Sequence, residues 1–351
     1  MNKIRLLILG TGGMAANHAE AFAAIDGVDI VAGVDTNTDR LSAFCEKHDI
    51  SNGFSTLDEA LAWGAFDAVT NVTPDGAHAA TTLPLLTAGK HVLCEKPLAT
   101  TYADAREMAI TARHAGVINM VNLSYRNGAS LMHAAHLIGQ GAIGAVRHFE
   151  ASYLQSWLTQ PAWGDWKTDP TWLWRLSTRH GSKGVLGDVG VHILDFATLA
   201  AGSRVDDISC RLTTFDKAPG GAIGAYTLDA NDSATMQVRL QNGAVGVVHA
   251  SRFATGHLND LTLRIHGTDG AIEVCDHNHK STMRACLGDD RLTATWRDIT
   301  SPPVRTNFVR FIDAIREGAA VLPDFDRGAA LQKVLDAAET SHRGNGIFVA
   351  V

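Results

Sequence analysis

The 351-residue chain carries 30 Lys and Arg against 37 Asp and Glu, a formal charge of −7. With 46% apolar and 19% charged residues it holds enough apolar material to offset chain entropy, which excludes disorder, and its acidic balance excludes nucleic acid as a partner. At about 150 residues per domain, the length predicts two domains.

The five cysteines are odd in number and widely scattered, without the spacing of a zinc site or a disulfide framework, and read as reduced thiols of a cytoplasmic protein. The apolar run Ile4–Leu9 is too short for a signal segment, since Gly-Thr-Gly-Gly follows it. No uncharged apolar stretch reaches the roughly 20 residues that span a bilayer, so no membrane contact is expected.

In chain order, short apolar runs at Ile4–Leu9, Ile30–Val34, Ala68–Val72, His91–Cys94 and Val117–Leu123 alternate with helical patterns near 15–24, 38–48, 56–63, 78–88 and 101–115. Continuous apolar runs suit strands buried on both faces, and intervening helices make the crossovers parallel. This is the pattern of an α/β fold with an N-terminal Rossmann doubly wound parallel sheet over residues 1–124. From 125 to 351 the pattern changes to a second, α+β domain. A helix over Leu131–Ile138 and a strand over Val146–Leu154 lead into a loop to about 183 and a helix from Asp188 to Ala200. Strand-like runs follow at 208–215, 234–240, 245–250, 261–265 and 271–275, with Asn242-Gly243 as a hairpin signal between two of them. Neighbouring strands without crossovers predict a mostly antiparallel sheet, and helices over 304–316 and 326–341 close the chain.

Gly10-Thr11-Gly12-Gly13-Met14-Ala15 fits G-x-G-x-x-A between a predicted strand and a predicted helix. The first glycine permits the tight turn, the second lets backbone approach a pyrophosphate, and the helix N-terminus offers N–H groups to the phosphate charge. Gly10, Gly12, Gly13 and Met14 are therefore candidate cofactor residues, with a tight turn that binds nothing as the plainer reading. Asp35 ends the next strand, where its carboxylate would accept from ribose hydroxyls and repel a 2′-phosphate. This favours NAD over NADP, and Arg40 is the counter-signal.

His91 to Cys94 leads into Glu95-Lys96-Pro97, and Ala68 to Val72 into Thr73-Pro74-Asp75-Gly76-Ala77-His78. Ligands of open α/β sheets lie beyond such strand ends, which adds Thr73, Pro74, His78, Glu95 and Lys96 to the candidates. For Lys96, an ion pair with Glu95 or a snorkelling surface role competes evenly. Asp188 and His192 are spaced i, i+4 on one helix face, so the carboxylate can orient a histidine that serves as general base. On spacing alone a capping aspartate and a core histidine are the favoured reading, because short charged pairs are common.

Taken in order, the Gly10–Ala15 turn, Thr73-Pro74 with His78, Ala88-Gly89-Lys90-His91-Val92 leading to Glu95-Lys96-Pro97, and Gly184-Val185-Leu186-Gly187-Asp188-Val189-Gly190-Val191-His192-Ile193-Leu194-Asp195 resemble the glucose–fructose oxidoreductase / inositol dehydrogenase (Gfo/Idh/MocA) family over nearly the whole chain. The resemblance implies a nicotinamide-dependent dehydrogenase of a sugar, inositol or related polyol. It implies that Lys96, Asp188 and His192 are catalytic, with Lys96 and His192 meeting the reacting hydroxyl and Asp188 supporting His192. It further implies a cis Lys96–Pro97 peptide, and a large open-faced C-terminal sheet that forms a homodimer or homotetramer. Lys183 departs from the family, where a glycine is common.

Five of the seven tryptophans fall between Trp157 and Trp174 (Trp157, Trp163, Trp166, Trp172, Trp174), with Arg175 after them as a candidate for a substrate hydroxyl or carboxylate. Loop packing is the stronger reading for most of these rings. Cys275, Asp276, His277 and His279 sit between strand-like runs and read as an exposed turn, so no metal is expected. Two other activities fit the same residues: an NAD-retaining glycoside hydrolase, which would liberate an aglycone without net NADH, and a non-catalytic NAD- or sugar-binding regulatory protein, against which Lys96, Asp188 and His192 together argue.

Overall fold

Leu6, Leu7 and Ile8 are completely buried in the computed structural model of the chain, which describes residues 3–161 and 163–351. They lie in β1 (Ile4–Leu9), the centre of a six-stranded sheet. After it come α1 (Gly13–Ala23), β2 (Val28–Val34), α2 (Thr38–Lys47), β3 (Asn52–Phe54), α3 (Leu57–Trp63), β4 (Ala68–Asn71), α4 (His78–Thr87), β5 (His91–Cys94), α5 (Tyr102–Ala115) and β6 (Asn119–Val121). Every pairing in this sheet is parallel and the order is β3-β2-β1-β4-β5-β6, so the direction of winding reverses between β1 and β4. Local signals set the helix ends. Asn37 and Thr101 cap α2 and α5, Thr56 and Glu59 form a capping box on α3, and Gly64 and Gly116 take left-handed backbone after α3 and α5. The three-residue β3 escapes the sequence reading because Asn52-Gly53-Phe54 has no apolar run.

The chain divides into two units, one of residues 1–124 with 305–332, the other of residues 125–304 with 333–351. This corrects the assignment of all residues after 124 to the second domain. Helix Asn307–Glu317 packs Phe308, Phe311 and Ile312 against Ile4, Leu6 and Phe22, and Phe325 N donates to Asn119 Oδ1 at 2.8 Å. An amphipathic helix goes where its apolar face finds cover, and here that cover is the parallel sheet.

In the second unit, α6 (Ala129–Gly139), β7 (Val146–Leu154), the short α7 (Pro170–Leu173) and α8 (Val191–Ala200) precede β8 (Val205–Thr213). A small hairpin of β9 (Ala222–Ile223) and β10 (Tyr226–Thr227) stands apart. Then come β11 (Ser233–Leu240), β12 (Val245–Ser251), β13 (Asp260–Gly267), β14 (Gly270–His277), β15 (Lys280–Leu287), β16 (Arg297–Asp298), α9 (the Asn307–Glu317 helix of the first unit), α10 (Phe325–Arg343, which passes from one unit into the other) and β17 (Val349–Ala350). The nine-stranded sheet runs β16-β15-β14-β13-β7-β12-β11-β8-β17, and β7–β12 is its one parallel pair among the described residues. Burial alternates strictly along β11 and β12, so one face is core and the other carries exposed Val245, Val247 and His249. Asn242-Gly243 turns β11 into β12 as expected. β15 goes unforeseen because Lys-Ser-Thr-Met-Arg-Ala-Cys-Leu alternates too weakly in polarity. No helix among the described residues is long and apolar enough to cross a membrane.

Candidate functional site

In the first unit the glycine turn sits between the ends of β1 and β4. Gly10 has φ +88°, and a Cβ there would stand 3.0 Å from Thr73 N and from the Val72 carbonyl carbon and oxygen. Only glycine permits that approach. Positions 12 and 13 have open space where a Cβ would be, and no side chain caps the first turn of α1. The turn thus presents a helix N-terminus with room above it, which fits a dinucleotide pyrophosphate.

Asp35 follows β2 and is buried. It accepts from Thr11 N and Oγ1, both at 2.8 Å, from Asn37 N at 2.8 Å, and from Arg40 through Nε at 3.1 Å and Nη2 at 2.7 Å. Burial pushes its carboxyl up, but the bonds from Arg40, Asn37 and Thr11 outweigh it and hold it at about 2. The aspartate is therefore charged and tied to the glycine turn.

Beyond β4, Asn71 Oδ1 accepts from Thr73 N (3.1 Å) and Oγ1 (2.7 Å), which fixes the Thr73-Pro74 loop. His78 is completely buried, with Nδ1 2.8 Å from the Pro97 carbonyl and Nε2 2.9 Å from the Thr73 carbonyl. Its ring holds backbone and faces no open space. Beyond β5, Glu95 Oε1 meets His18 Nε2 at 2.9 Å and Asn122 Nδ2 at 2.6 Å, while its Oε2 accepts from Lys96 N at 3.2 Å. Burial pushes this carboxyl up too, but His18, Lys96 and Asn122 hold it at about 2. Glu95 is thus a charged anchor beneath half-buried Lys96, and the Lys96–Pro97 peptide is cis.

In the second unit, Asp188 lies in a π-helical turn over Leu186–Gly190 that runs directly into α8, where a plain α-helix was expected. Asn231 supports the turn: its Oδ1 accepts from Leu186 N at 3.0 Å, and its carbonyl accepts from Val185 N at 2.8 Å. Asp188 Oδ2 accepts from Arg252 Nη2 at 2.9 Å, and Oδ1 lies 3.4 Å from Arg175 Nη1. Arg252 is completely buried, donates from Nη1 to the Arg175 carbonyl at 3.1 Å, and has its guanidinium carbon 5.2 Å from the Trp157 ring. Burial pushes its pKa down and Asp188 opposes that.

His192 is buried in the first turn of α8, its ring 5.0 Å from Tyr125 edge to face and 6.4 Å from Tyr153. The two phenols share a 2.6 Å hydrogen bond, and Tyr153 Oη donates to Asn259 Oδ1 at 2.9 Å. Burial pushes both phenols up, so both stay protonated. One turn along α8, Asp195 takes a two-pronged bond from buried Arg126 at 2.8 and 2.7 Å, which fastens the helix.

Within the first unit, then, the structure brings Gly10 to Thr73, Asp35 to the glycine turn, and His78 to both strand-end loops. Within the second it brings Arg175 to Asp188, with His192 on the following turn. Sequence reasoning misses Arg252, Tyr125, Tyr153, His18 and Asn122. Arg252 alone left a signal, a charge just past the end of an apolar strand.

Among the tryptophans, Trp157 and Trp166 are buried with Leu158, Leu173, Leu176 and Leu228, and Trp163 stacks on Trp172 at 6.2 Å. Arg175 lies over Trp174 at 4.8 Å. The loop is therefore chiefly packed on itself. Lys183 Nζ lies 3.9 Å from Glu339. His277 Nδ1 lies 3.2 Å from Asp260, His279 stacks on Tyr125 at 5.9 Å, and no cluster of metal-binding side chains occurs among the described residues.

Comparison with known proteins covers both units. Residues 4–123 match an oxidoreductase family with an NAD-binding Rossmann fold, and residues 131–273 match the GFO/IDH/MocA C-terminal domain. The chain is 26% identical to levoglucosan dehydrogenase of Pseudarthrobacter phenanthrenivorans, over 96% of this chain and 95% of that protein. It is also 26% identical to scyllo-inositol 2-dehydrogenase (NADP(+)) IolU of Bacillus subtilis, over 95% and 96%. Among solved structures, a levoglucosan dehydrogenase in complex with NADH superposes with a TM-score of 0.88 at 25% identity, covering 100% of this chain and 99% of that one.

Proposed function

The chain belongs to the Gfo/Idh/MocA oxidoreductase family and is an NAD(P)-dependent dehydrogenase, and from that premise we propose that it transfers hydride between NAD and a secondary alcohol of a sugar, inositol or related polyol. The observation that carries the reading is Asp188, held by Arg252 and Arg175 one helical turn before His192.

The backbone of Gly10, Gly12, Gly13 and Met14 would hold the pyrophosphate of a dinucleotide, Asp35 would accept from its ribose hydroxyls, and Thr73, Pro74, Glu95 and Lys96 would line its path along the strand ends. When bound, its nicotinamide supplies the hydride acceptor. His192 accepts the hydroxyl proton as general base, and Asp188 orients the ring and favours its charged form. Lys96 stabilises the oxygen as negative charge develops. The buried Glu95 carboxylate keeps that lysine at the strand end. Arg175, partly exposed over Trp174, binds a further substrate hydroxyl.

NAD is favoured because Asp35 stays ionised beside the turn and would repel a 2′-phosphate. Arg40 occupies the same carboxylate, so the preference is decided by testing both cofactors. The chain works in the cytoplasm, where its five unpaired cysteines stay reduced, and assembles as a homodimer or homotetramer through the open face around Val245 and Val247.

The test is a panel of sugars and inositols with NAD and NADP separately, followed at the NADH absorbance. Turnover of a polyol with NAD supports the proposal, and faster turnover with NADP overturns the reading of Asp35. An aglycone released without net NADH would indicate the glycoside hydrolase, and dinucleotide binding without turnover of any substrate the regulatory protein.

A further inference from the structure

His78 opens α4 from a fully buried position, and each of its ring nitrogens faces a backbone carbonyl oxygen: Pro97 at 2.8 Å from Nδ1 and Thr73 at 2.9 Å from Nε2. A carbonyl oxygen can only accept, and a neutral imidazole has one N–H to give. In that form one contact would set a nitrogen lone pair against an oxygen lone pair in the interior, where no water is at hand to satisfy the acceptor. The imidazolium donates from both ends and satisfies both carbonyls.

We propose that His78 is held as a buried imidazolium, and that this cation clamps the Thr73-Pro74 loop beyond β4 to the Lys96-Pro97 loop beyond β5. Each loop then has its backbone fixed by a charge-assisted bond, which is stronger than a bond between neutral groups. The charged and titratable groups facing the ring are Cys94 at the end of β5 and Asp75 in the turn before α4. Burial alone pushes the ring toward its neutral form. Cys94, Asp75 and the Pro97 carbonyl outweigh it, and the pKa is raised to about 10. His78 is thereby a positioning residue: its ring reaches backbone on both sides, and it acts through the loops that carry Thr73 and Lys96.

The protonation state stands independently of the proposed function, and only the kinetic consequence rests on it. The decisive measurement is a long-range proton–nitrogen correlation spectrum of the intact protein with 15N-labelled histidine. The His78 signal is identified by its loss in His78→Gln, or by through-bond assignment in the wild type should that variant not fold. Both ring nitrogens of His78 are expected to carry protons from about pH 6 to pH 9. A ring with one bare nitrogen at neutral pH overturns the proposal.

Gln offers donors at one end only, so folded His78→Gln is expected to raise the KM for NAD about tenfold. An unchanged KM in a folded variant overturns the clamp. A wild-type chain that binds neither dinucleotide would sink the functional reading, while the NMR result still decides the imidazolium.

Discussion

His192 lies against Tyr125 and Tyr153, whose raised pKa values keep them neutral, so it is placed to exchange a proton without a competing phenolate. Replacing it with Ala should lower kcat by about 10²–10⁴-fold, the usual contribution of a general base, with dinucleotide affinity by fluorescence titration unchanged. Wild-type turnover in that variant would remove His192 from the mechanism. Gly10 makes a different demand. At φ +88°, with Thr73 backbone 3.0 Å from any added Cβ, Gly10→Ala should cost about 1–3 kcal/mol in urea unfolding and weaken dinucleotide binding. Asp35→Ala should shift the ratio of kcat/KM values toward NADP, because it removes a buried carboxylate and releases Arg40. A ratio that does not move would show that residue 35 does not read the ribose.

At the scale of elements, the sheet of the first unit ends in two carboxylates, Asp35 after β2 and Glu95 after β5, both held at about 2. Their folded values lie below the ordinary ones, so they stabilise the fold at pH values above the ordinary range. That stabilisation is lost as pH falls from about 4.5 toward 2. Thermal unfolding across this window should show Tm dropping, with a shallower slope in Glu95→Gln; equal slopes would mean the carboxylate is not held charged. The strand-end motifs were legible because buried parallel strands leave continuous apolar runs, so the charges and prolines that follow stand out. The π-helical turn at Asp188 was not legible: Leu-Gly-Asp-Val-Gly carries the same spacing whether the helix has four or five residues per bond, and Asn231, which supports it, comes much later in the chain. The Arg252–Asp188 pair was hidden for the same reason, since 64 residues separate its members.

For the molecule as a whole, the open sheet face with Val245 and Val247 exposed is the surface we assign to self-association. Val247→Arg should shift the enzyme to a smaller species in size-exclusion chromatography with light scattering, because a long charged side chain would replace a small apolar one on the face where the copies meet. An unchanged mass would move the interface elsewhere. The general division into a parallel-sheet part and an antiparallel-sheet part followed from periodicity, but the membership of residues 305–332 did not. An amphipathic helix announces that it has an apolar face and is silent on which sheet will cover it.

That late segment bears on biosynthesis. Phe308, Phe311 and Ile312 complete the core around Ile4, Leu6 and Phe22, so an early part of this sequence is finished by residues made long after it. At about 5–20 residues per second, the nascent amino-terminal sheet waits many seconds on the ribosome with an apolar flank uncovered. A fragment stopped at residue 124 should therefore be recovered as aggregate or chaperone-bound, and adding a peptide of residues 305–332 in trans should restore solubility.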